Sequence, residues 1–443
     1  MVILKKVLKL RTLIATSAGL ALASSVYSAS IESANAANGG WVVLAILIAG
    51  LINGYSSTAF AELATMFPTA GGVQVFIRHA FGPVISTSVS LLYIILAWSA
   101  GAAEAYIFSK VITFLIQVAG ISFLAMIPEW GWVTLVLSSF FLINLLGVQL
   151  AGRTQVGLTF TMFILLISVS LYALIYSDYG ASVSISEVFN VPDGIGFFVS
   201  VALAVYLYIG FEWVTPMVEE AEDSKLLAKA MPLAILLLAV TYSLFTFVMI
   251  IVIPPSELIN QPVPHLIVAE KIQGFAGIII MGVISFLATF TSFNAGMMGN
   301  SRLLYGMARE GVLPGFLAKI HLRFFTPWSA LLFMFVIQWI LTIFIVESGS
   351  FLIPILLAAI IESLIYALVA LTVIKLRKKM PDYQRPFRML GYNWMIYGIA
   401  IIYGLLIILM LLPPTSIIVH ILLATGLVFS LTYSFIRFKF MDN

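Results

Sequence analysis

The chain has 443 residues, 62% of them hydrophobic and 9% charged, and carries a formal net charge of +3 at pH 7. With a mean hydropathy of +1.12, that composition excludes an ordinary soluble domain and describes a polytopic membrane protein. The absence of cysteine excludes disulfides, thiolate metal sites and cysteine nucleophiles, and the histidines His79, His265, His321 and His420 are too scattered for a metal cluster.

Hydropathy divides the sequence into twelve predicted spans, at about 12-34, 41-66, 84-118, 131-150, 154-177, 195-218, 230-253, 273-300, 327-346, 351-374, 392-412 and 415-436. Each is long enough for a helix to cross a hydrocarbon core of roughly 30 Å, so the expectation is an all-α chain in the lipid bilayer. With the N-terminus in the cytoplasm, every Lys and Arg except Lys110 and Lys271 falls on or beside the cytoplasmic side, from Lys5, Lys6, Lys9 and Arg11 to Arg437 and Lys439. Cations favour inner loops, which predicts a multi-pass protein of the cell membrane with both termini cytoplasmic.

The first span is rich in serine (Ser17, Ser24, Ser25, Ser28, Ser30 and Ser33), and small residues of this kind let helices approach closely. Lys5 to Arg11 followed by an apolar run also admits a cleaved signal peptide as an alternative, against which the length of the run argues. The second span ends in Phe67-Pro-Thr-Ala-Gly-Gly72, after which an amphipathic connector at the membrane surface is expected before Pro83. Glu104 falls well inside the third span and Glu362 inside the tenth, with no Lys or Arg at comparable depth. The last two spans are almost wholly apolar and read as peripheral.

The sixth span departs most from this pattern. Tyr206-Leu-Tyr-Ile-Gly-Phe-Glu-Trp-Val-Thr-Pro216 places a glycine, a carboxylate and a proline inside an apolar segment. Gly210 weakens a helix and Pro216 removes a backbone donor. Glu212 requires protein or water around it, and backbone freed at that depth is tolerated only against protein or a cavity. The reading is a broken helix lining a polar site. It lies five spans after the first, the spacing of two inverted five-helix repeats that each open with a discontinuous helix. They would be 12-177 and 195-374, with 392-436 as two added helices.

The residues resemble the amino acid-polyamine-organocation permeases. The resemblance is carried in order by Ala61-Glu-Leu-Ala with Phe67-Pro-Thr-Ala-Gly-Gly, Arg78-His-Ala-Phe-Gly, Tyr208-Ile-Gly-Phe-Glu with Glu219-Glu220, Ser301-Arg-Leu-Leu-Tyr-Gly-Met-Ala-Arg-Glu-Gly-Val-Leu-Pro314, and Pro381-Asp-Tyr-Gln-Arg-Pro-Phe-Arg388. It implies a LeuT-like core of ten helices in two inverted repeats plus two more. It also implies a substrate held where the first and sixth helices unwind and offered to the two sides in turn. The family's small-residue motif in the first helix falls on Ala23-Ser24-Ser25-Val26-Tyr27, with Ala23 and Ser25 replacing its glycines.

From this follow the candidate residues. The backbone of Ala23, Ser24, Ser25 and Val26 and of Tyr208, Ile209 and Gly210 is expected to take the ligand's polar ends, through half-helix N–H groups and unwound carbonyls. The hydroxyls of Ser24 and Ser25 either join them or serve helix packing. Tyr206, Tyr208, Phe211 and Trp213 either stack on the ligand or fill the core. Glu212 matches a proton-responsive carboxylate, and desolvation favours the neutral acid that a proton carrier requires; the alternative is a structural acid on the broken backbone. Glu104 and Glu362 are candidates for a substrate amine or a proton, or are capped neutral acids between helices. Thr291 and Ser292 match the hydroxyl pair of a sodium site, or simply pack. The lysine that substitutes for sodium in some relatives falls on Met162, so it is absent. Glu219, Glu220, Glu222 and Asp223 read as a solvated loop, or as a gate pairing with Arg78 or Arg302; Glu62 reads as structural.

The functional expectation is a secondary transporter of amino acids or small amines, proton-coupled and importing. Antiport or sodium coupling is the alternative, and a channel or sensor on the same scaffold is the rival of a different class. No cofactor, nucleic acid or catalytic role is expected, since no phosphate loop or nucleophile-base set is present.

Overall fold

The computed structural model describes residues 4, 6–176, 188–189, 194–259, 261–349, 351–412 and 415–439. Lys5 and the expected span end at 177 lie outside them. The described residues are helical throughout, with two isolated β-bridges, Leu8 to Ala221 and Gly39 to Phe189. In chain order the helices are α1 (Leu10–Ala21), α2 (Ser25–Ala36), α3 (Val42–Met66), α4 (Val73–Phe81), α5 (Pro83–Ala119), α6 (Glu129–Leu145), α7 (Val148–Tyr176) and α8 (Gly194–Val205). After the short 3-10 turns Tyr206–Tyr208, Phe211–Glu220 and Ser224–Leu226 come α9 (Leu227–Val252), α10 (Pro255–Leu258), α11 (Pro264–Arg309), α12 (Trp328–Ser348), α13 (Leu352–Lys379), α14 (Asn393–Leu411) and α15 (Ile417–Lys439).

Among the described residues, ten helical segments are long and apolar enough to cross a membrane, and the bent pair α1 and α2 makes an eleventh. The one expected span left over, the fourth, is α6, apolar but of only 17 residues. The expectation carried that helix to residue 150, and it stops at Leu145. Gly147, at φ +136°, turns the chain there into α7, which starts six residues before the expected 154. The span expected from 273 begins at a real discontinuity, since Gln273 and Gly274 are non-helical and kink α11. The connector α4 is mostly buried, with Val73, Gln74, Val75, Phe76, Ile77 and Ala80 turned inward against α5 and α13 rather than lying on a surface.

The core is built where α1, α2 and the 206–220 segment meet α3, α5, α9 and α11. Outside it, α14 and α15 have 28% and 17% of their apolar windows buried, against 67% for α13, which makes them the peripheral pair.

Candidate functional site

Two discontinuities lie side by side. α1 and α2 meet at 59° across Leu22–Ser24. The second break runs through Ile209 and Gly210, the latter at φ +115°; a Cβ there would lie 2.7 Å from the Leu20 side chain, so only glycine lets this turn seat against α1. A helix that ends inside a protein must satisfy its last carbonyls, and the last three of α1 each take a hydroxyl. Ser292 donates to Leu20 O at 3.2 Å, Tyr242 to Ala21 O at 2.5 Å and Thr291 to Leu22 O at 3.0 Å. Thr291 and Ser292 thus sit with carbonyl oxygens around them, each hydroxyl bonded to α1.

The start of α2 is held by an acid. Ser25 N donates to Glu104 Oε2 at 2.9 Å and Thr289 donates to Glu104 Oε1. A carboxyl at a helix N-terminus satisfies free amides and complements the helix dipole. Ser24 donates to Ser285 O at 3.0 Å and so pins α2 to α11, while Ser25 Oγ meets Tyr206 Oη at 3.2 Å. Glu104 is fully buried and pairs with no cation among the described residues.

Glu212 occupies the second break. Tyr93 from α5 donates to its Oε1 at 2.8 Å and Tyr366 from α13 to its Oε2. The Tyr93 ring stacks on Trp213 with centroids 3.9 Å apart. Glu362 is also fully buried; Tyr366 lies beside it but gives its proton to Glu212, and neither Glu362 oxygen has a partner among the described residues.

A cavity of about 50 Å³ lies between the breaks. Of the expected residues, Ala23, Ser25, Val26, Tyr206, Ile209, Trp213 and Ser292 line it. Ser24, Tyr208, Gly210, Phe211, Glu212, Thr291, Glu104 and Glu362 do not. Tyr208 Oη donates to Ile46 O at 2.8 Å, and Phe211 packs edge-on to Phe60 and Tyr366, so both tie the break to neighbouring helices. Sequence reasoning missed Gly101, Asn300 and Gln338, which also line the cavity. Gln338 is the lone amide in an apolar span, and Asn300 falls in the polar run of α11, both of which were available signals. Met162 is buried and apolar; the polar bridge from α7 to α1 is made instead by Gln155 and Thr159, each donating to Ala15 O at 3.1 Å.

The remaining motifs converge at the basic end of the bundle. Glu220 and Arg302, both essentially inaccessible, pair at 2.8 Å. Val7 N and Leu8 N each donate to Glu220 O at 2.8 Å, fastening the segment before α1 to the end of the second break. Glu219 holds Arg309 at 2.5 Å and accepts from Ala70 N. Glu62 takes Arg377 at 2.6 Å, Arg385 at 3.3 Å and the Met389 amide. Arg78, the other expected partner of the acidic loop, pairs with Glu310 at 2.8 Å. Among the described residues, no group of His, Asp and Glu is arranged to hold a metal.

A family model described as amino acid permease matches residues 8–432. A branched-chain amino acid permease of Bacillus subtilis (strain 168) is 26% identical, over 89% of this chain and 86% of its own. The human cystine/glutamate transporter is 26% identical over 77% of this chain and 68% of its own, and the human large neutral amino acids transporter small subunit 2 is 26% identical over 80% and 66%. Taken with the apolar helices and the motifs met in order, the match over nearly the whole length means that this multi-pass membrane protein belongs to the amino acid permease family, within the amino acid-polyamine-organocation superfamily.

Proposed function

We propose that this chain is a secondary transporter that moves amino acids or small amines across the cell membrane, with both termini cytoplasmic, by alternating access of a site between two inverted repeats, 12-177 and 195-374. The observation that carries the reading is the pair of adjacent helix breaks around one cavity lined by Ser25, Tyr206 and Trp213. Half-helix ends provide N–H groups for a carboxylate and carbonyls for an amine, and broken helices permit the two halves to rock about the site. The ligand's amine meets the aromatic faces of Tyr206 and Trp213. The cavity is narrow, so admitting an amino acid requires the surrounding helices to part.

The transporter is a proton symporter. Glu212 is buried with no cation partner among the described residues, and the stack of Trp213 on Tyr93, which hydrogen-bonds Glu212, connects the cavity wall to that carboxyl. A change at Trp213 on binding therefore alters the hydrogen bonds that hold Glu212. The buried pair Glu220 and Arg302, with the segment 7–8 fastened to it, acts as the cytoplasmic gate, opening when the break moves.

A second reading is favoured by one observation. Thr291 and Ser292 lie against the carbonyls of Leu22 and Leu20, an all-oxygen set of the kind that suits sodium. Uptake of labelled amino acids and amines into proteoliposomes under a pH gradient, a sodium gradient or neither decides between them. Accumulation driven by the pH gradient and lost in Glu212→Gln supports proton symport. Accumulation driven by sodium and lost in Thr291→Val supports the second reading, counterflow without accumulation supports antiport, and no movement of any probe overturns the transporter reading.

A further inference from the structure

The N-terminus of α2 already holds an acid of the protein. Ser25 N donates to Glu104 Oε2 at 2.9 Å, the Ser24 amide and the Ser25 hydroxyl lie beside the same carboxyl, and Thr289 donates to its other oxygen. Free amides at a helix end, aligned with the helix dipole, are a natural seat for a carboxylate. An amino acid brings a carboxylate of its own to a cavity that Ser25 and Val26 line. An independent observation indicates a polar ligand there: Trp213 Nε1, Gln338 Nε2 and Asn300 Oδ1 belong to residues lining the same cavity, are more than nine-tenths buried, and have no partner among the described residues.

Two carboxylates on one helix end, with no cation of the protein between them among the described residues and the substrate's ammonium directed to Tyr206 and Trp213, do not both remain ionised; one takes up a proton. The titratable groups around Glu104 are Tyr27 of α2, Tyr206 of the second break and Tyr242 of α9, with Glu362 of α13 on the far side of Tyr206. His265 of α11 packs at a tilt against Tyr27 with ring centroids 4.6 Å apart, and Lys110 of α5 is engaged with Glu129 at 2.8 Å. None of them forms an ion pair with Glu104.

We propose that the substrate's carboxylate and Glu104 compete for the amides at the start of α2, so that each amino acid bound is matched by one proton taken up on Glu104. The inference rests on the symporter reading above and separates two steps: Glu104 takes the proton when substrate binds, and Glu212, joined to the cavity wall through Tyr93 and Trp213, serves the movement that follows, so that Glu212→Gln keeps the binding-linked proton uptake while losing accumulation. Glu104 leaves as the neutral acid, carrying a proton from the water through which the substrate entered. The substrate's carboxylate inherits its N–H donors. Release of substrate and proton on the other side returns Glu104, as a carboxylate, to Ser25.

The test uses the full chain in lipid nanodiscs. Uptake first identifies the best of the standard amino acids; that acid, its carboxamide and its decarboxylated amine are then the probes. Binding is measured in buffers of different ionisation enthalpy. The expected result for the acid is about one proton taken up per molecule bound, with affinity weakening about tenfold per pH unit over the range in which Glu104 is ionised in the free protein and protonated in the complex. The carboxamide and amine bind without proton uptake, and in Glu104→Gln the acid binds with neither proton uptake nor pH dependence. Should that variant not fold, Thr289→Val, which removes a donor to Glu104, shifts the pH profile of binding, and an unshifted profile overturns the proposal. Transport of the acid with no proton uptake overturns it and leaves the transporter standing. So does proton uptake that persists in Glu104→Gln, or that is equal for acid and carboxamide. If no probe binds or moves, the reading beneath it falls as well.

Discussion

The buried acids of this permease form two groups with opposite solutions to the same cost. At the basic end of the bundle the buried Glu62 and Glu220, with the half-buried Glu219 beside them, face arginines at hydrogen-bond distance: Arg377, Arg302 and Arg309 respectively. Around the two breaks, Glu104, Glu212 and Glu362 have hydroxyls, amides or nothing opposite them. An arginine fixes the charge state of its partner, which then serves to hold one geometry; a hydroxyl does not, and leaves the acid free to exchange a proton. In the mechanism we propose, the charge that stays lies at the gate and the charge that changes lies around the two breaks.

The largest effect that sharpens this comparison comes from breaking a fixed pair. Arg302→Met leaves the Glu220 carboxyl buried without its partner, and costs about 3 to 5 kcal/mol. The double change Glu220→Met with Arg302→Met removes both charges and recovers most of that loss, a coupling that single changes at distant sites do not show. Thermal melts of the detergent-solubilised single and double variants read it directly. A double variant as unstable as the single one would mean that the pair is not what holds this end.

The central acids respond the other way. Glu362→Met removes a buried carboxyl that lacks partners and stabilises the protein by about 1 to 3 kcal/mol. A lower melting temperature would reveal a partner that the geometry lacks. Glu212→Gln, close in shape, keeps one tyrosine as donor to its amide oxygen while the other turns to accept from its amide nitrogen, and changes stability by less than about 1 kcal/mol because no cation is left behind. Its effect falls on function, as loss of accumulation driven by a pH gradient in the uptake assay.

How much of this was legible in the sequence follows the same division. The second break was readable because Gly210, Glu212 and Pro216 contradict an apolar helix locally. The pairing of Glu220 with Arg302 was readable only as an alternative to a solvated loop, with Arg78 as the other partner named for the acidic residues. The place of Glu104 was not, because the contact joins residues 79 positions apart and depends on where α1 breaks. Sequence could identify a carboxylate without a cation, but not that it caps α2. Gln338 was passed over for a related reason. A lone amide in an apolar span carries no periodicity, and only the packing of its carboxamide over Gly101, where a Cβ would meet it at 2.7 Å, shows that α12 reaches the cavity. The boundary between α6 and α7 was misplaced because both sides of Gly147 are equally apolar.

The smallest effect tests the comparison from its margin. Arg78 and Glu310 pair at 2.8 Å, the same separation as Glu220 and Arg302, but their side chains are 38% and 36% exposed. Distance alone would rank the two pairs as equals. Water around an exposed pair screens its attraction and solvates whichever partner is left, so Arg78→Ala costs less than about 1 kcal/mol, and added salt erases the difference from wild type. Melts of Arg78→Ala and Arg302→Met at low and high salt therefore separate burial from proximity. If the Arg78 variant loses as much as the Arg302 variant, or if salt rescues both alike, burial is not what distinguishes a locked acid from a free one, and the division between the two groups of acids fails.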